Sequence, residues 1–291
     1  MQIVASVVST KGGVGKTTTA ANLGGLLADA GLRVLLIDLD LQPTLSSYYV
    51  LARRAPGDIY ELLAFSEQRA PQLVSSTGIA GLDLVLSNDS RGELNTLLLH
   101  APDGRLRLRH LLPQLARAYD LVLIDTQGAR SVLLEMAVLA SDLIISPVTP
   151  EILAAREFGR GTLQLLEDIA PFRHLGIEPP RLHLLMNRVH PVSVNARTVQ
   201  QAVRDLFQDH PCVHVLETSV PAIEAYPRAA TKGQPVHRVE RRRPKGRVAP
   251  AAGVTMRALA TELFPAWSGR LDALLQPSRP SRDQGSVHER Q

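Results

Sequence analysis

A glycine-rich segment near the start of the chain carries the strongest chemical signal in the sequence. It reads Ser9-Thr-Lys-Gly-Gly-Val-Gly-Lys-Thr-Thr18 and directly follows the apolar run 3–8. The glycines at positions 12, 13 and 15 allow backbone angles that are closed to other residues, so that successive N–H groups can converge on one anion. A helix predicted from Thr17 onward places its positive end at the same point. The segment therefore predicts a phosphate-binding loop.

The side chains of this loop have separate expected roles. Lys16 is placed to reach the β- and γ-phosphates of ATP, and Thr17 to put its hydroxyl on Mg²⁺. The loop departs from the common pattern G-x-x-x-x-G-K-[ST], because Thr10 stands at the first glycine and Lys11 adds a second cation. A glycine-rich turn with incidental lysines is the alternative, but the strand before the loop and the helix after it favour nucleotide binding. The residues expected to contact the nucleotide here are Lys11, Gly12, Gly13, Val14, Gly15, Lys16, Thr17 and Thr18.

Two later apolar runs end in carboxylates. The run 34–37 leads into Asp38 and Asp40, and the run 121–124 leads into Asp125. Because the carboxyl ends of parallel strands form the ligand-binding edge of an open α/β sheet, these acids are expected beside the phosphate loop. Asp125 would hold Mg²⁺ directly or through water. A pair of strand-end aspartates that caps a turn is the alternative for Asp38 and Asp40.

The elements that must position these residues follow from hydrophobic patterning. Short apolar runs without alternation predict strands buried on both faces, at 3–8, 34–37, 82–86, 121–124, 143–148 and 182–186. Helical periodicity predicts helices at 17–30, 106–118, 155–169, 194–207 and about 254–263.

Strand and helix alternate along the chain, which predicts an α/β fold: a doubly wound, mostly parallel sheet with helices on both faces. We expect one domain over residues 1–275. Residues 276–291 contain almost nothing apolar and predict a disordered tail.

The glycine-rich loop resembles the deviant Walker A box of the ParA/MinD superfamily, and the resemblance covers most of residues 1–265. It implies that Lys11 is the signature lysine, which crosses a dimer interface to the partner's nucleotide, and hence an ATP-dependent homodimer. A solvated loop lysine is the alternative. The resemblance also implies that Asp40 orients the attacking water and that Asp38 supports the outer magnesium shell. Lys11, Lys16 and Asp40 are then the catalytic residues of a slow ATPase that a partner stimulates.

Other parts of the chain resemble the same family. Asn187 follows a predicted strand where the family reads adenine, and Pro221 lies in a loop that covers the base. The segment that ends at Glu151 is similar to the family's dimer-facing loop, although Glu151 could instead cap the next helix. Gln127 stands where the family usually has proline or glycine. Its carboxamide either contacts phosphate or water, or occupies a tolerant loop position.

Composition narrows the function classes. The chain has one cysteine, Cys212, so an intramolecular disulfide, a cysteine zinc cluster and a two-cysteine iron–sulfur centre are excluded, and a cytoplasmic location is expected. The run 3–8 is too short for a signal peptide or a membrane span. Pro265 interrupts the apolar segment 256–275, so membrane attachment is not expected.

Basic residues cluster in the back half, where segregation ATPases of this family carry cations for sequence-independent DNA binding. Such residues grip phosphates and give salt-sensitive binding, whereas a solvated basic loop is the alternative. The candidates are Arg228, Lys232, Arg238, Arg241, Arg242, Arg243, Lys245 and Arg247.

The resemblance and the basic cluster together favour a short ParA-like partition ATPase. In that hypothesis ATP drives dimerisation, the dimer binds DNA nonspecifically, and a ParB-like centromere-binding protein stimulates hydrolysis. No helix-turn-helix pattern precedes the loop, so operator recognition is not expected. The alternatives are a MinD-like or cargo-positioning ATPase, and a metabolic synthetase that uses the same loop.

Overall fold

The computed structural model describes residues 2–89 and 91–274, and the predicted tail 276–291 lies outside the described residues. Within them the chain forms nine strands. Their bounds are β1 (Ile3–Val7), β2 (Val34–Asp38), β3 (Leu51–Arg53), β4 (Val74–Thr77), β5 (Leu82–Val85), β6 (Leu121–Asp125), β7 (Leu143–Val148), β8 (Arg181–Met186) and β9 (Val213–Val215).

Helices occupy most of the intervening chain. The α-helices are α1 (Lys16–Asp29), α2 (Ile59–Phe65), α3 (Ala70–Leu73), α4 (Glu93–His100), α5 (Arg107–Leu115), α6 (Val132–Leu139), α7 (Ile152–Glu157), α8 (Gln164–Ile169), α9 (Val194–Phe207), α10 (Ala225–Thr231), α11 (Val236–Val239), α12 (Ala252–Leu263) and α13 (Ser268–Ala273). A π-helical segment, Phe158–Leu163, joins α7 to α8. Short 3₁₀ turns lie at Gly104–Leu106, Ala170–Leu175 and Pro265–Trp267.

The strands form one sheet in the order β3-β4-β5-β2-β6-β1-β7-β8-β9. The seven strands from β5 to β9 in that order pair in parallel, and the pairs β3–β4 and β4–β5 are antiparallel, so that β4 alone runs against the others. The predicted doubly wound, mostly parallel sheet is therefore confirmed. The order also brings the carboxyl ends of β1, β2 and β6 together at its centre, beside the glycine-rich loop.

Alternate side chains along a strand pack into different hydrophobic clusters, one on each face of the sheet. In β2, Leu36 packs into a cluster with Leu23 and Leu27 of α1, whereas Leu35 and Ile37 pack into the cluster on the other face. Every residue of β2 and β6 is buried, because helices cover both faces. The central strands are thus rigid supports for the residues that follow them.

Helix α1 lies close to its neighbours because it contains two consecutive glycines. A methyl group on Gly25 would lie 2.6 Å from Pro235 Cβ and 2.6 Å from the hydroxyl of Tyr49, and that hydroxyl donates to Ala21 O at 2.7 Å. These atoms cannot all move aside, since the proline is rigid and the tyrosine is tied by its hydrogen bond. The glycine therefore sets how closely α1 packs against the start of α11.

The lengths and compositions of the helices bear on membrane insertion. Within the described residues no helix combines the length and the apolar content that crossing a bilayer requires.

We predict that Gly25→Ala destabilises the protein, although alanine ordinarily favours a helix over glycine by about 1 kcal/mol. Overlap with Pro235 and Tyr49 outweighs that gain, and we expect a loss of roughly 1–3 kcal/mol in the free energy of unfolding, measured by urea titration. Gly269→Ala in α13 is the matched control, because a methyl group there meets no atom within 4 Å. A Gly25→Ala protein as stable as the control would contradict the packing argument.

Candidate nucleotide-binding site

The glycine-rich loop connects β1 to α1 and leaves the start of that helix uncapped. Gly13 and Gly15 take φ angles of +75° and +94°, in the left-handed region that favours glycine. Gly15 is the N-cap residue of α1, and no side chain there accepts a helix N–H. The first turn of α1 also contains no acidic residue. Its free N–H groups and its positive dipole end thus form a site for an anion.

Lys16 is the first residue of α1 and is almost fully buried. Its ammonium group donates to the carbonyl of Lys11 at 3.4 Å. Burial lowers the pKa of Lys16, while the nearby carboxylates of Asp125 and Asp40 oppose that change. A buried ammonium group beside uncapped helix N–H groups is suited to a phosphate, which would supply the missing counter-charge.

Asp38 and Asp125 are paired across the sheet. They end β2 and β6 in direct register, and both side chains are fully buried. Two like charges in one buried position are unfavourable, so the charge of Asp38 raises the proton affinity of Asp125. Burial first and then Asp38 raise the pKa of Asp125 to about 8. Burial raises the pKa of Asp38 to about 6.

The two carboxylates differ in how their oxygens are used. Asp38 Oδ1 accepts the N–H of Asp40 at 3.1 Å, and Oδ2 accepts both the N–H and the hydroxyl of Ser46 at 2.8 and 2.7 Å. Asp125 Oδ1 accepts the N–H of Thr126 at 3.1 Å, but its buried Oδ2 has no hydrogen-bond partner among the described residues. The orphaned oxygen of Asp125 and the nearby hydroxyl of Thr17 therefore fit Mg²⁺, whereas Asp38 is committed to the loop that follows β2.

Asp40 lies in that loop and is half-buried. Its Oδ1 accepts the N–H of Gln42 at 3.1 Å, and its carbonyl accepts the hydroxyl of Ser87 at 2.6 Å. The backbone at Asp40 is thus fixed from two sides, through Asp38 and Ser87. The carboxylate is close enough to act on the charges of Lys16 and Asp125.

Lys11 makes ion pairs within its own chain. Its ammonium nitrogen lies 3.3 Å from Glu157 Oε2 and 3.6 Å from Glu151 Oε2. Glu151 precedes α7 and makes no side-chain cap hydrogen bond, so the structure gives it a contact with Lys11 in place of the alternative capping role. Lys11 is about one third exposed.

The helix that carries Glu157 approaches the loop closely. The predicted helix 155–169 is instead α7, the π-helical segment and α8, which begins earlier and changes its hydrogen-bond pattern in the middle. A methyl group on Gly161 would lie 1.9 Å from the hydroxyl of Thr10. A π-helical turn with glycine at this position brings the helix backbone against the loop, which patterning by hydrophobicity cannot reveal.

The loop also contacts the segment that follows Asp125, after the end of β6. A methyl group on Gly128 would lie 2.7 Å from Gly12 Cα, so only glycine allows the two backbones to meet there. Gln127, one residue earlier, is half-buried. A change of the loop backbone at Gly12 would therefore displace the backbone at Gly128.

Asn187 and Pro221 meet the loop from the other side, where they line a cavity of about 490 Å³ with Gly15, Thr18 and Tyr226. Asn187 donates from Nδ2 to Val14 O at 2.6 Å, so its amide nitrogen is held by the loop. Its Oδ1 accepts the N–H of Arg188 at 3.0 Å. The structure thus brings together the predicted adenine-side residues. Arg188, Tyr226 and Pro227 also line the cavity; they lie in the segments that resemble the family's adenine side, but the sequence assigns them no separate role. Ile223 lines it as well and lies outside those segments.

The predicted DNA-binding cations fall into two groups. Arg238 donates from Nε to Asp29 at 2.6 Å, Arg247 makes an ion pair with Glu240, and Arg228 lies 3.9 Å from that glutamate. The second group is exposed and makes no ion pair within residues 2–89 and 91–274. Its members are Lys232, Arg241, Arg242, Arg243 and Lys245.

Comparison with known proteins agrees with this geometry. The profile of the AAA_31 family, described as an AAA domain, matches residues 1–176. The chain belongs to this family, which is of ParA/MinD type. The resemblance to the ParA/MinD superfamily is therefore confirmed.

Sequence relatives at moderate identity include both uncharacterised and named proteins. An uncharacterised protein of Methanocaldococcus jannaschii is 27% identical over 248 residues, which cover 83% of this chain and 93% of that protein. The sporulation initiation inhibitor protein Soj of Bacillus subtilis is 28% identical over 240 residues, or 80% and 89% of the two chains. The chromosome partitioning protein ParA of Caulobacter vibrioides is 33% identical over 184 residues, or 62% and 66%.

Solved structures show the same fold. McdA of Cyanothece in complex with ATP has a TM-score of 0.73 at 20% identity, covering 93% of this chain and 96% of that one. Cobyrinic acid a,c-diamide synthase of Mycobacterium smegmatis, bound to an ATP analog and magnesium, has a TM-score of 0.67 at 25% identity, covering 86% and 99%. Members of this fold thus bind ATP and magnesium.

We predict that Asp125 makes the metal-free protein less stable as pH rises. Its pKa of about 8 exceeds the ordinary aspartate value of 3.8, so the folded chain keeps a proton that the unfolded chain releases, and stability falls between about pH 4 and 8. Asp125→Asn removes this contribution, on the order of a few kcal/mol at pH 8. Thermal melting from pH 5 to 8 without metal should therefore show a shallower decline for the variant. Parallel curves would contradict the assignment.

Proposed function

We propose that the protein is a ParA-type ATPase that binds ATP with Mg²⁺ and hydrolyses it slowly. The observation that carries this proposal is the unpartnered buried oxygen of Asp125, which lies beside Lys16 and the uncapped start of α1. Thr17 and Asp125 would hold the metal, with Asp38 behind it. Lys16 and the N–H groups of the loop would bind the phosphates, and Asn187 and Pro221 would face the base. The metal would offset charge that develops on the transferred phosphate.

Asp40 would then orient the attacking water. Its Oδ1 already accepts a backbone N–H, and its other oxygen takes no hydrogen bond from the described part of the chain. The group is half-buried and its backbone is fixed, so it can hold a water in line without a large rearrangement. Phosphoryl transfer of this kind depends on positioning and charge stabilisation, and not on covalent chemistry by the protein.

The resting contacts of Lys11 explain why turnover should be slow. To act on a partner's nucleotide in an ATP-bound homodimer, Lys11 must leave Glu151 and Glu157. Both pairs are largely solvent-exposed, so each is weak and can be exchanged for a phosphate. An activating partner that favours this exchange would increase the rate.

We further propose that the switch serves DNA partition, with nonspecific DNA and a ParB-like protein as partners in the cytoplasm or on the nucleoid. Similarity to Soj and to ParA supports this purpose, as does the exposed group of basic residues. Five exposed cations that make no ion pair with the described residues give a surface on which phosphates can replace counterions. A cargo-positioning ATPase and a synthetase share the fold, but neither accounts for that surface.

We predict different defects for two substitutions in the site. Lys16→Ala removes the phosphate-binding ammonium and should lower ATP affinity at least about 100-fold, measured by fluorescent nucleotide titration. Asp40→Ala should bind ATP with affinity within about threefold of wild type, and should lower kcat by roughly 100-fold or more. An Asp40→Ala protein with full ATPase activity would remove Asp40 from this role.

We predict ATP-dependent binding to random duplex DNA. In a gel-shift assay, wild type with ATP should bind, ADP should abolish binding, and affinity should fall roughly tenfold or more between 50 and 200 mM salt. Asp40→Ala should remain bound with ATP, while Lys16→Ala should not bind. No ATP-dependent binding by wild type at low salt would exclude the partition function and favour a synthetase or a positioning protein.

A further inference from the structure

The basic segment between α11 and α12 is a closed loop and not an open linker. Residues 241–251 leave Glu240 and return to it, because the N–H of Gly253 donates to Glu240 O at 3.0 Å. A methyl group on Gly253 would lie 3.0 Å from that oxygen, so the two ends of this segment are in close contact. We name this segment the basic loop. It presents Arg241, Arg242, Arg243 and Lys245 to solvent.

A single buried carboxylate holds both ends of the basic loop. Glu240 is 7% exposed, although it lies among basic residues. Its Oε1 accepts the N–H of Ala252 at 3.0 Å and Arg247 Nη2 at 2.5 Å, while its Oε2 accepts Arg247 Nη1 at 2.8 Å. The hydrogen bonds to Arg247 keep the pKa of Glu240 below its usual value. The carboxylate is therefore charged and fully paired at neutral pH.

Arg247 extends this arrangement to the far side of the basic loop. Its Nη2 also donates to Pro250 O at 2.9 Å, and its Nε donates to Ala249 O at 3.3 Å. Its bidentate pair with Glu240 fixes the guanidinium plane. A turn at Gly246, where φ is +77°, lies between Arg247 and the exposed cations. The pair with Arg247 is the close one at the base of the basic loop, since Arg228, the other cation near Glu240, lies 3.9 Å away.

We infer that Glu240 is a positioning residue for DNA binding: it holds Arg247 and the N–H of Ala252 so that the basic loop presents its exposed arginines and lysine as one phosphate-binding surface. This inference rests on the proposed DNA-binding function and deepens it. In it Arg247 supports the surface from below, and the four exposed cations of the basic loop touch the phosphates. Glu240 acts through them and does not touch DNA.

Electrostatics alone and loop positioning predict opposite changes in DNA affinity for the same substitution. Glu240→Gln removes a negative charge near a basic surface, which by electrostatics alone should tighten DNA binding. If Glu240 positions the basic loop, the neutral amide loses the bidentate ion pair with Arg247, and the exposed cations are no longer held in one arrangement. Binding then weakens although the protein has become more basic.

The test is the affinity of full-length protein with ATP for random duplex DNA, measured over a range of salt concentrations. We expect Glu240→Gln to weaken binding about fivefold or more and to reduce the slope of log affinity against log salt, because fewer phosphates are contacted. Glu167→Gln is the matched control. It makes the same charge change at an exposed glutamate of α8, and should leave affinity and slope within experimental error.

A second variant covers the case in which Glu240→Gln does not fold. Glu240→Asp keeps the charge but shortens the side chain, so that it cannot reach both Ala252 and Arg247. It should also weaken DNA binding, with ATP affinity unchanged. Amide hydrogen exchange in residues 241–251 should increase in both variants.

The outcomes separate this inference from the function on which it rests. Wild-type protein that fails to bind DNA with ATP overturns both. Wild-type binding together with equal or tighter binding by folded Glu240→Gln and Glu240→Asp overturns the positioning role alone.

Discussion

The structure depends on how three carboxylates and one lysine are accommodated at the carboxyl edge of the sheet. Asp38 and Asp125 end adjacent strands in register, and Lys16 lies within reach of Asp125 and Asp40. Burying like charges side by side is unfavourable unless each finds a partner. Backbone N–H groups and the hydroxyl of Ser46 satisfy Asp38, whereas one oxygen of Asp125 has no hydrogen-bond partner in the part of the chain that the structure describes. The unsatisfied group is the one that a divalent cation would complete, so ligand binding and the stability of the sheet edge are linked.

The phosphate loop is held between three neighbouring segments, each at a glycine. Gly15 leaves room for the amide of Asn187, Gly128 lies against Gly12, and Gly161 lies against Thr10. In each place a methyl group would overlap an atom of the other segment. The loop therefore contacts the adenine side, the segment after Asp125 and the π-helical segment at once. A nucleotide that changes the loop acts on all three by direct contact, with no need for a long pathway.

Sequence patterning predicted the parts of this arrangement that repeat a common physical rule. Buried parallel strands are continuous apolar runs, so β1, β2, β6, β7 and β8 were predictable to within about a residue. Strands β3, β4 and β9 were not, because they have only 3, 4 and 3 residues and include polar ones. The identities of Lys16 and Asp125 could be predicted from the motif. The sequence could not predict that Asp38 has its hydrogen bonds satisfied while Asp125 keeps an oxygen without a partner among the described residues. That difference arises because the loop after β2 brings Ser46 back to Asp38.

Helix α1 connects the phosphate loop to the residues that precede the basic loop. It begins at the phosphate loop and ends at Asp29, whose carboxylate binds both Arg238 and His237. Midway, Asn22 accepts the N–H of Val236 at 2.6 Å, so α11 is fixed to α1 at its first residue. A helix of this length extends roughly 20 Å as a stiff rod. Because α11 leads directly into Glu240, these contacts connect the phosphate loop to the base of the basic loop through one helix.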